Sequence, residues 1–178
     1  MSDGGDRATI VTRLARWRVP LGFVSAVVVL WFARPTWRTL VAGGVVALAG
    51  EAVRLWAAGH LEKSREVTSS GPYRFTRHPL YVGSAVMGAG LAVASAHVGL
   101  AALIAVYLAT TFTVAIKAEE AFLQSRFGGD YEAYRAGRLT NGRRFSWARA
   151  IRTNREYRAV VGLVALFALL ALKIGVRS

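Results

Sequence analysis

The protein has 178 residues, of which 54% are hydrophobic, a mean hydropathy of +0.36 and a formal net charge of +13 at pH 7. It contains no cysteine, which excludes a disulfide framework, a thiolate nucleophile and a cysteine-based metal site. The basic excess alone would fit nucleic-acid binding or basic loops beside a membrane. From Pro79 to Ile116, however, 38 consecutive residues include no Asp, Glu, Lys or Arg. Such a helix would measure about 57 Å, nearly twice a bilayer core of about 30 Å. The sequence therefore predicts an integral membrane protein and argues against a nucleic-acid partner.

Apolar runs predict five membrane-spanning helices. The expected fold class is therefore an all-α integral membrane helical bundle with cytoplasmic helical loops. The long uncharged run is divided near His97, where a short polar segment would form the turn of a helical hairpin. The first and last runs are short enough to be interfacial or tilted. The predicted spans are Val19–Ala33, Thr39–Ala58, Leu80–Ala96, Val98–Ala118 and Ala159–Val176.

Basic side chains are concentrated on one side of these spans. The residues before the first span and the loops 59–78 and 119–158 carry 17 of the 23 Lys and Arg residues, whereas the opposite side carries four. The positive-inside rule then predicts a cytoplasmic N-terminus and an external C-terminus. Twenty of the basic residues are arginine, a bias typical of GC-rich prokaryotic genomes, so the expected location is a prokaryotic cell (inner) membrane. The arginine-rich stretch 135–158 is expected to face water or anionic membrane lipids.

The most informative segment runs from Gly71 to Gly83 and reads G-P-Y-R-F-T-R-H-P-L-Y-V-G. Pro79 favours an extended His78 and is suited to open the third helix. His78 would then lie at a helix N-terminus, where free N–H groups and the helix dipole attract a carboxylate or a phosphate. The alternative interpretation is a lipid-headgroup anchor with an interfacial tyrosine.

Two adjacent acidic residues, Glu119 and Glu120, end the fourth predicted span. Helical spacing places Glu119 on an apolar stripe with Phe112 and Ile116, directed into the bundle. It places Glu120 on a polar stripe, where Glu120 would pair with Lys117 at i, i+3. A carboxylate on an apolar face near a membrane is costly and usually has a cationic partner. The alternative is an ordinary pair of interfacial charges at a helix end.

The second span contains two charges, Glu51 and Arg54, separated by three residues. They can neutralise each other, but charges inside a membrane are usually functional. A role in substrate binding or access is therefore weighed against a purely structural ion pair. The three histidines lie far apart and lack the H-E-x-x-H spacing of a helical zinc site. No metal site is predicted.

The order of the motifs along the chain points to one family. The G-P-Y-R-x-x-R-H-P-x-Y-x-G segment is followed by a hydrophobic hairpin, by E-E-x-x-L from Glu119 to Leu123, and by F-G-x-x-Y-x-x-Y from Phe127 to Tyr134. In this order and spacing the chain resembles the isoprenylcysteine carboxyl methyltransferase and phospholipid methyltransferase superfamily. The resemblance covers about residues 50–135, within one domain spanning 1–178. Residues 136–178 add a basic loop and an extra span.

The resemblance implies an integral-membrane enzyme that uses S-adenosylmethionine, with S-adenosylhomocysteine as the product. The cofactor would be enclosed by the third and fourth spans and the cytoplasmic loops. His78 and the helix N-terminus suit the methionine carboxylate, while Glu119 suits the ammonium or the ribose hydroxyls. By motif position, the implied cofactor-binding residues are Val67, Thr68, Tyr73, His78, Pro79, Leu80, Tyr81 and Glu119.

Two departures from the family pattern lie on the substrate side. Four residues before Glu119 the prenylcysteine enzymes have an arginine, whereas this chain has Ala115, with Lys117 close by. After Tyr134 the usual Val-Pro-Arg segment is replaced by R-A-G-R-L-T-N-G-R-R. The candidate substrate-binding residues are Glu51, Arg54 and Lys117.

The expected function is methyl transfer to a lipidic or prenylated acceptor from the bilayer, of the isoprenylcysteine carboxyl O-methyltransferase type. A carboxylate acceptor needs no strong base, because opposite charges are neutralised in a dry pocket. The alternative is a phospholipid N-methyltransferase acting on a phosphatidylethanolamine-type amine. That reaction needs a base, for which Glu120 is the predicted catalytic residue and Glu51 the other acidic candidate. A non-catalytic membrane binding or scaffold protein is the alternative from another class, and the sequence leaves the oligomeric state open.

Overall fold

A computed structural model describes residue 22 and residues 24–62, 65–139 and 142–177. Within these residues the chain forms helices and no strand. A 3₁₀ turn at Gly71–Arg74 precedes the third helix, and a short π-helical turn at Arg149–Thr153 precedes the last. The main helices are α1 at 24–32, α2 at Trp37–His60, α3 at Pro79–Ser95, α4 at Val98–Arg135 and α5 at Tyr157–Arg177.

Three helices in the described part of the chain are long and apolar enough to cross a membrane: α2, α4 and the Tyr157–Val176 part of α5. The apolar helix α3 has 17 residues and measures about 25 Å, somewhat less than a bilayer core of about 30 Å. The predicted all-α bundle of an integral membrane protein is confirmed. The predicted first span, Val19–Ala33, falls partly on residues 19–21 and 23, which lie outside the described residues.

The helix α4 continues well beyond Ala118, where the fourth span was predicted to end. Residues 119–127 contain neither Gly nor Pro, so nothing in the sequence stops the helix where the apolar run ends. The helical path breaks only at Gly128, with φ 42° and ψ −108°, and then resumes as far as Arg135. The predicted cytoplasmic loop 119–158 therefore begins as an extension of the membrane helix.

Glycines allow α2 and α3 to pack closely against each other. A Cβ added at Gly50 would lie 2.6 Å from the carbonyl oxygen of Gly83, and one at Gly83 would lie 2.7 Å from that of Gly50. Gly43 and Gly90 make a second contact of this kind further along the two helices. Small residues at such positions let two membrane helices approach each other closely.

The described helices differ in how much of their surface the bundle covers. In the apolar window of α2, 33% of the residues are buried, against 11% in α4 and 6% in α5. The helix α2 is therefore central, whereas α5 presents Val161, Val164 and Leu172 outward, as suits a helix surrounded by lipid. Between the helices lies an apolar core of Val29, Ala33, Leu40, Ala94, Leu100, Ile104 and Leu170.

One end of the bundle, where α2 ends and α3 begins, is called the loop end below. Here the basic segment after α4 is fastened to the residues that follow α2. Arg149 Nε donates to Glu62 Oε1 at 2.9 Å, and Arg143 Nε donates to Glu66 Oε1 at 2.7 Å. Asn154 Nδ2 donates to the carbonyl oxygens of Ala58 and Leu61 at 2.8 and 3.1 Å. Part of the arginine-rich stretch thus closes the fold, in addition to any contact with water or lipid.

Candidate active site

A cavity of about 880 Å³ opens at the loop end of the bundle. Its walls come from the end of α2, the loop 61–73, the start of α3, the middle of α4 and the segment 153–156. Elements far apart in the sequence therefore meet around one space. All eight residues that the family resemblance implies for cofactor binding line it: Val67, Thr68, Tyr73, His78, Pro79, Leu80, Tyr81 and Glu119.

His78 occupies the position directly before α3, and Pro79 is the first helical residue. The side chain of His78 is held by Glu120, because the Nε2–H of His78 donates to Glu120 Oε1 at 3.2 Å. The other ring nitrogen, Nδ1, is buried and has no hydrogen-bond partner among the described residues. It lies 4.0 Å from Glu119 Oε2. A buried ring nitrogen without a partner is unfavourable, so the cavity offers His78 to a ligand.

The two adjacent glutamates lie on different faces of α4, as helical geometry requires, but Glu120 does not have the partner that was predicted for it. Glu119 lines the cavity, as expected. Glu120 does not pair with Lys117, since its carboxylate lies 3.2 Å from His78 Nε2 and 3.5 Å from an Arg77 nitrogen. The local i, i+3 contact is replaced by contacts with the segment before α3, 42 residues away.

Glu120 was predicted to be a catalytic base, and this stays a prediction that its position supports poorly. Glu120 is absent from the set of residues lining the cavity, and its carboxylate is shared by His78 and Arg77. This arrangement suits a residue that orients His78. Lys117, a predicted substrate residue, is exposed and is likewise not among the residues that line the cavity.

The turn at 71–74 holds Tyr73 in the wall of the cavity. Gly71 has φ +58°, and a Cβ there would lie 2.6 Å from the ring of His60, so this position needs glycine. Burial raises the pKa of Tyr73 above its usual range, and the nearby carboxylate of Glu119 raises it further. The phenol therefore stays protonated and can donate a hydrogen bond.

The kink in α4 brings a second tyrosine back over this turn. Beyond Gly128 the helix changes direction, and Tyr134 Oη donates to the carbonyl oxygen of Tyr73 at 2.8 Å. Gln124 Nε2 donates to Glu132 Oε1 across the kink at 2.9 Å. In the F-G-x-x-Y-x-x-Y motif, Gly128 therefore changes the direction of the helix, and this places Tyr134 over the cavity.

A charged cluster forms the part of the cavity that lies deeper between the helices. Arg54 NH2 donates to Glu156 Oε2 at 2.7 Å, its NH1 donates to Ser84 Oγ, and its Nε lies 3.5 Å from Glu51 Oε2. Arg54, Ser84 and Glu156 line the cavity, whereas the buried Glu51 lies behind Arg54. The predicted pair of Glu51 and Arg54 is thus present, but the closest ionic partner of Arg54 is Glu156.

Sequence reasoning missed Glu156, and one signal points to it. Arg54 lies within an apolar helix, so its charge needs a closely held carboxylate. Glu156 directly precedes α5, where the chain enters the last apolar helix. It is only 6% exposed. Arg155, the residue before it, has φ 56°, an unfavourable backbone conformation for a side chain of this size.

A second, smaller cavity of about 240 Å³ lies between α3, α4 and α5. Its walls are apolar side chains such as Leu91, Ile104 and Leu166. Ser84 and Leu108 line both cavities, so the two spaces are neighbours. The smaller cavity is lined entirely by residues of these three helices, including the part of α5 that also presents apolar side chains outward.

Comparison with known proteins identifies the family to which the chain belongs. The family model described as phospholipid methyltransferase matches residues 17–130, which is more than half of the chain. The chain belongs to this family. The match includes the motifs at 71–83 and 119–123, both of which contribute residues to the wall of the cavity. No solved structure matches the chain.

Two curated relatives of this phospholipid methyltransferase family member are bacterial proteins named for metal resistance. The cobalt-zinc-cadmium resistance protein CzcN of Cupriavidus metallidurans is 32% identical over 122 residues, which cover 65% of this chain and 56% of the relative. The nickel-cobalt-cadmium resistance protein NccN of Alcaligenes xylosoxydans xylosoxydans is 31% identical over 122 residues, or 65% and 57% of the two chains. The match thus spans little more than half the length of either relative.

Enzymes of this family generally use S-adenosylmethionine, and the cavity has suitable residues for it. Its volume is within the range of about 300–1,000 Å³ typical of ligand pockets. The buried Nδ1 of His78, without a partner among the described residues, faces a carboxylate that is itself part of the wall. Tyr81 and Phe112, whose ring centres are 5.2 Å apart, add an aromatic surface. The donor set therefore fits an amino-acid group attached to a nucleoside.

The names of the two relatives refer to metal resistance, so the described residues were also compared with the requirements of a metal site. Within residues 22, 24–62, 65–139 and 142–177, no group of three or more His, Asp or Glu side chains is placed to hold a metal ion.

Proposed function

We propose that this protein is an S-adenosylmethionine-dependent methyltransferase that acts on a lipidic acceptor in the membrane. The single observation that carries the proposal is the convergence of all eight motif positions on one cavity. In its wall the ring of His78 is held by Glu120 through one nitrogen and has its other nitrogen without a partner in the described chain. A scaffold protein without a ligand would gain nothing from this costly arrangement.

The bound cofactor would supply a methyl group on a sulfonium, and the residues of the chain would orient it. His78 and the N-terminus of α3 would hold the methionine carboxylate, since both attract anions. Glu119 would take the ammonium or the ribose hydroxyls. Tyr134, fastened over Tyr73, would keep water out, which favours the reduction of charge in methyl transfer.

The acceptor would enter sideways from the bilayer, because its apolar tail is costly to move through water, at about 0.8 kcal/mol per CH₂. The apolar cavity between α3, α4 and α5 lies beside the main cavity and shares Ser84 and Leu108 with it. It would hold the tail while the polar head enters the main cavity.

The family resemblance is compatible with two kinds of acceptor, an isoprenylcysteine-type carboxylate and a phospholipid amine. An isoprenylcysteine-type carboxylate would meet Ala115 in the cavity wall, where the prenylcysteine enzymes have an arginine. A phospholipid amine needs a proton acceptor, and Glu156 is a buried carboxylate that lines the cavity. These observations favour the amine as the acceptor. A prokaryotic cell membrane, with the loop end in the cytoplasm, is the location that the charge distribution supports.

Calorimetric titration of the purified protein with S-adenosylhomocysteine tests the cofactor part of the proposal. We expect saturable binding that the substitution His78→Ala weakens at least tenfold. Lys117→Ala is the matched control, because Lys117 is exposed and not among the cavity-lining residues, and we expect it to bind normally. Absence of binding by the folded, unsubstituted protein would leave the scaffold alternative as the better account.

A further inference from the structure

The segment between α4 and α5 has a strong excess of positive charge. Residues 133–155 contain seven arginines and neither Asp nor Glu. Two of these arginines, Arg143 and Arg149, are neutralised by glutamates of the loop that follows α2. The side chains of the other five form no ion pair in the part of the chain that the structure describes. The segment therefore has more positive charge than the fold itself uses.

The helical turn 147–153 has one side that packs against the bundle. Ala150 is fully buried on this side. Arg149 NH1 donates to the carbonyl oxygen of Gly59, and Asn154 Nδ2 donates to that of Ala58 at 2.8 Å. These contacts satisfy carbonyl groups at the end of α2, which lack partners within their own helix. This inner side therefore fixes the orientation of the turn.

The other side of the segment projects away from the bundle. Trp147 is 62% exposed, and its ring meets the ring of Phe145 edge-on, with the centres 4.9 Å apart. Ile151, one turn further along, is exposed as well. We call the exposed side chains on this side the outer face: Arg144, Trp147, Ile151 and Arg152.

The start of α5 places the outer face at the surface of the membrane. The apolar part of α5, Tyr157–Val176, has 20 residues and measures about 30 Å, which matches a bilayer core of about 30 Å. Tyr157 is therefore at one surface of that core, a position that tyrosine favours. The backbone N–H of Glu156 donates to the carbonyl oxygen of Ala150 at 3.1 Å, which keeps the turn close to the first residues of α5. The turn thus lies within reach of the lipid head groups.

The composition of the outer face suits a charged lipid surface better than water. Tryptophan and aliphatic side chains are favoured at a membrane interface, and basic side chains beside them attract acidic head groups. A guanidinium group without a carboxylate partner can hold a phosphate group through two parallel hydrogen bonds. In bulk water, by contrast, Trp147 and Ile151 would expose apolar surface at a cost in free energy.

We propose that the outer face binds the phosphate groups of acidic phospholipids in the leaflet at the loop end. The positive-inside rule predicts that this leaflet is the cytoplasmic one, where acidic lipids create a negative surface potential. None of the four residues of the outer face is among those that line the two cavities. The acidic lipid is therefore a partner of this surface and not a methyl acceptor, and the assignment is independent of the proposed methyl transfer.

The lipid next to the outer face can be identified by short-range quenching. The chain has no cysteine, so a cysteine that replaces the exposed Ala148 accepts a single fluorophore. The labelled protein is placed in nanodiscs of phosphatidylcholine with a minor fraction of phosphatidylglycerol. A nitroxide quencher is attached near the head group, either to the phosphatidylglycerol or to an equal amount of the phosphatidylcholine. We expect the acidic lipid to quench at least about twofold more at low salt, with a smaller difference at high salt.

Paired substitutions assign the effect to the outer face. Arg144→Gln together with Arg152→Gln should bring the quenching ratio of the two lipids close to one. Arg34→Gln together with Arg38→Gln is the matched control, because it removes the same charge from exposed residues at the opposite end of the bundle. This control should leave the ratio unchanged.

Arg152→Gln alone should lower the ratio in part, and it serves as the test if the double variant does not fold. Thermal unfolding of each labelled variant is the folding control. Equal quenching by the two lipids with all arginines in place, or an equal fall in the ratio for the matched control, would overturn the proposal. Absence of quenching by either lipid would also overturn it, because the outer face would then be in water.

Discussion

At the scale of single residues, His78 and the adjacent Glu119 and Glu120 carry the proposed cofactor site. His78 is held by Glu120 on one side and faces Glu119 and the cavity on the other. The family resemblance implied that His78 and Glu119 would share a cofactor site. It could not predict the partner of Glu120, since a local i, i+3 contact and a tertiary contact compete for the same carboxylate.

The two glutamates should respond differently to the same substitution. Glu119→Gln should weaken binding of S-adenosylhomocysteine about tenfold, because a charge-assisted hydrogen bond is worth about 1.5 kcal/mol or more. In Glu120→Gln the amide oxygen still accepts from His78, so the loss should stay below about 1 kcal/mol, or about fivefold. Titration calorimetry of both variants in detergent, with thermal unfolding as the folding control, measures the difference. A larger loss for Glu120→Gln would reverse the roles assigned here.

At the scale of structural elements, the described helices follow the apolar pattern closely. The second, third and fifth predicted spans begin and end within two residues of α2, α3 and α5. The fourth did not end where predicted, because apolar composition marks the end of a span and not the end of a helix. The ion pair of Arg54 and Glu156 joins α2 to the start of α5 across 102 residues, a distance at which sequence periodicity carries no information.

The contact between α2 and α3 should depend on the absence of side chains. In Gly83→Ala the new methyl group would lie 2.7 Å from the carbonyl oxygen of Gly50 and 2.6 Å from Cγ of Arg54. We expect a loss of about 1–3 kcal/mol of stability, as is usual when a well-packed contact is overfilled, measured as a lower unfolding temperature. Gly162→Ala in α5 is the control, because nothing in the structure lies within 4 Å of its added Cβ. Equal melting of the two variants would argue against the close packing.

The kink at Gly128 should depend on backbone conformation alone. No atom lies within 4 Å of a Cβ added at Gly128 or at Gly129, but only Gly128 has a positive φ, of 42°. Gly128→Ala should therefore cost about 1–2 kcal/mol and weaken binding of S-adenosylhomocysteine, because Tyr134 would no longer be held over Tyr73. Gly129→Ala should be neutral or slightly stabilising, since alanine favours helix. If both variants bind like the unsubstituted protein, the kink does not shape the cavity.

At the scale of the whole molecule, the distribution of basic residues predicts an orientation across the membrane. Seventeen of the 23 Lys and Arg residues belong to the N-terminal segment and to the loops that build the cavity, which the positive-inside rule places in the cytoplasm. This direction would put the cofactor cavity on the side where S-adenosylmethionine is made. It would also allow the lipid acceptor to arrive from the bilayer between α3, α4 and α5.

The direction is tested with accessibility tags on intact cells. A tag after Ser178 should be labelled from outside, and a tag at Asp3 only after the membrane is permeabilised. A tag in the loop near Gly142 should behave like the one at Asp3, because this loop is fastened to the residues after α2. Two termini on the same side would mean that the first or the last apolar run does not cross the membrane.

The most direct test of the central claim is the fate of a labelled methyl group. Membranes that contain the protein are incubated with methyl-labelled S-adenosylmethionine, and the lipids are extracted and separated. We expect label in a membrane lipid, lost in His78→Ala and retained in Lys117→Ala. Labelling of lipids that is the same with the unsubstituted protein and with His78→Ala, or no labelled lipid at all, would contradict the account.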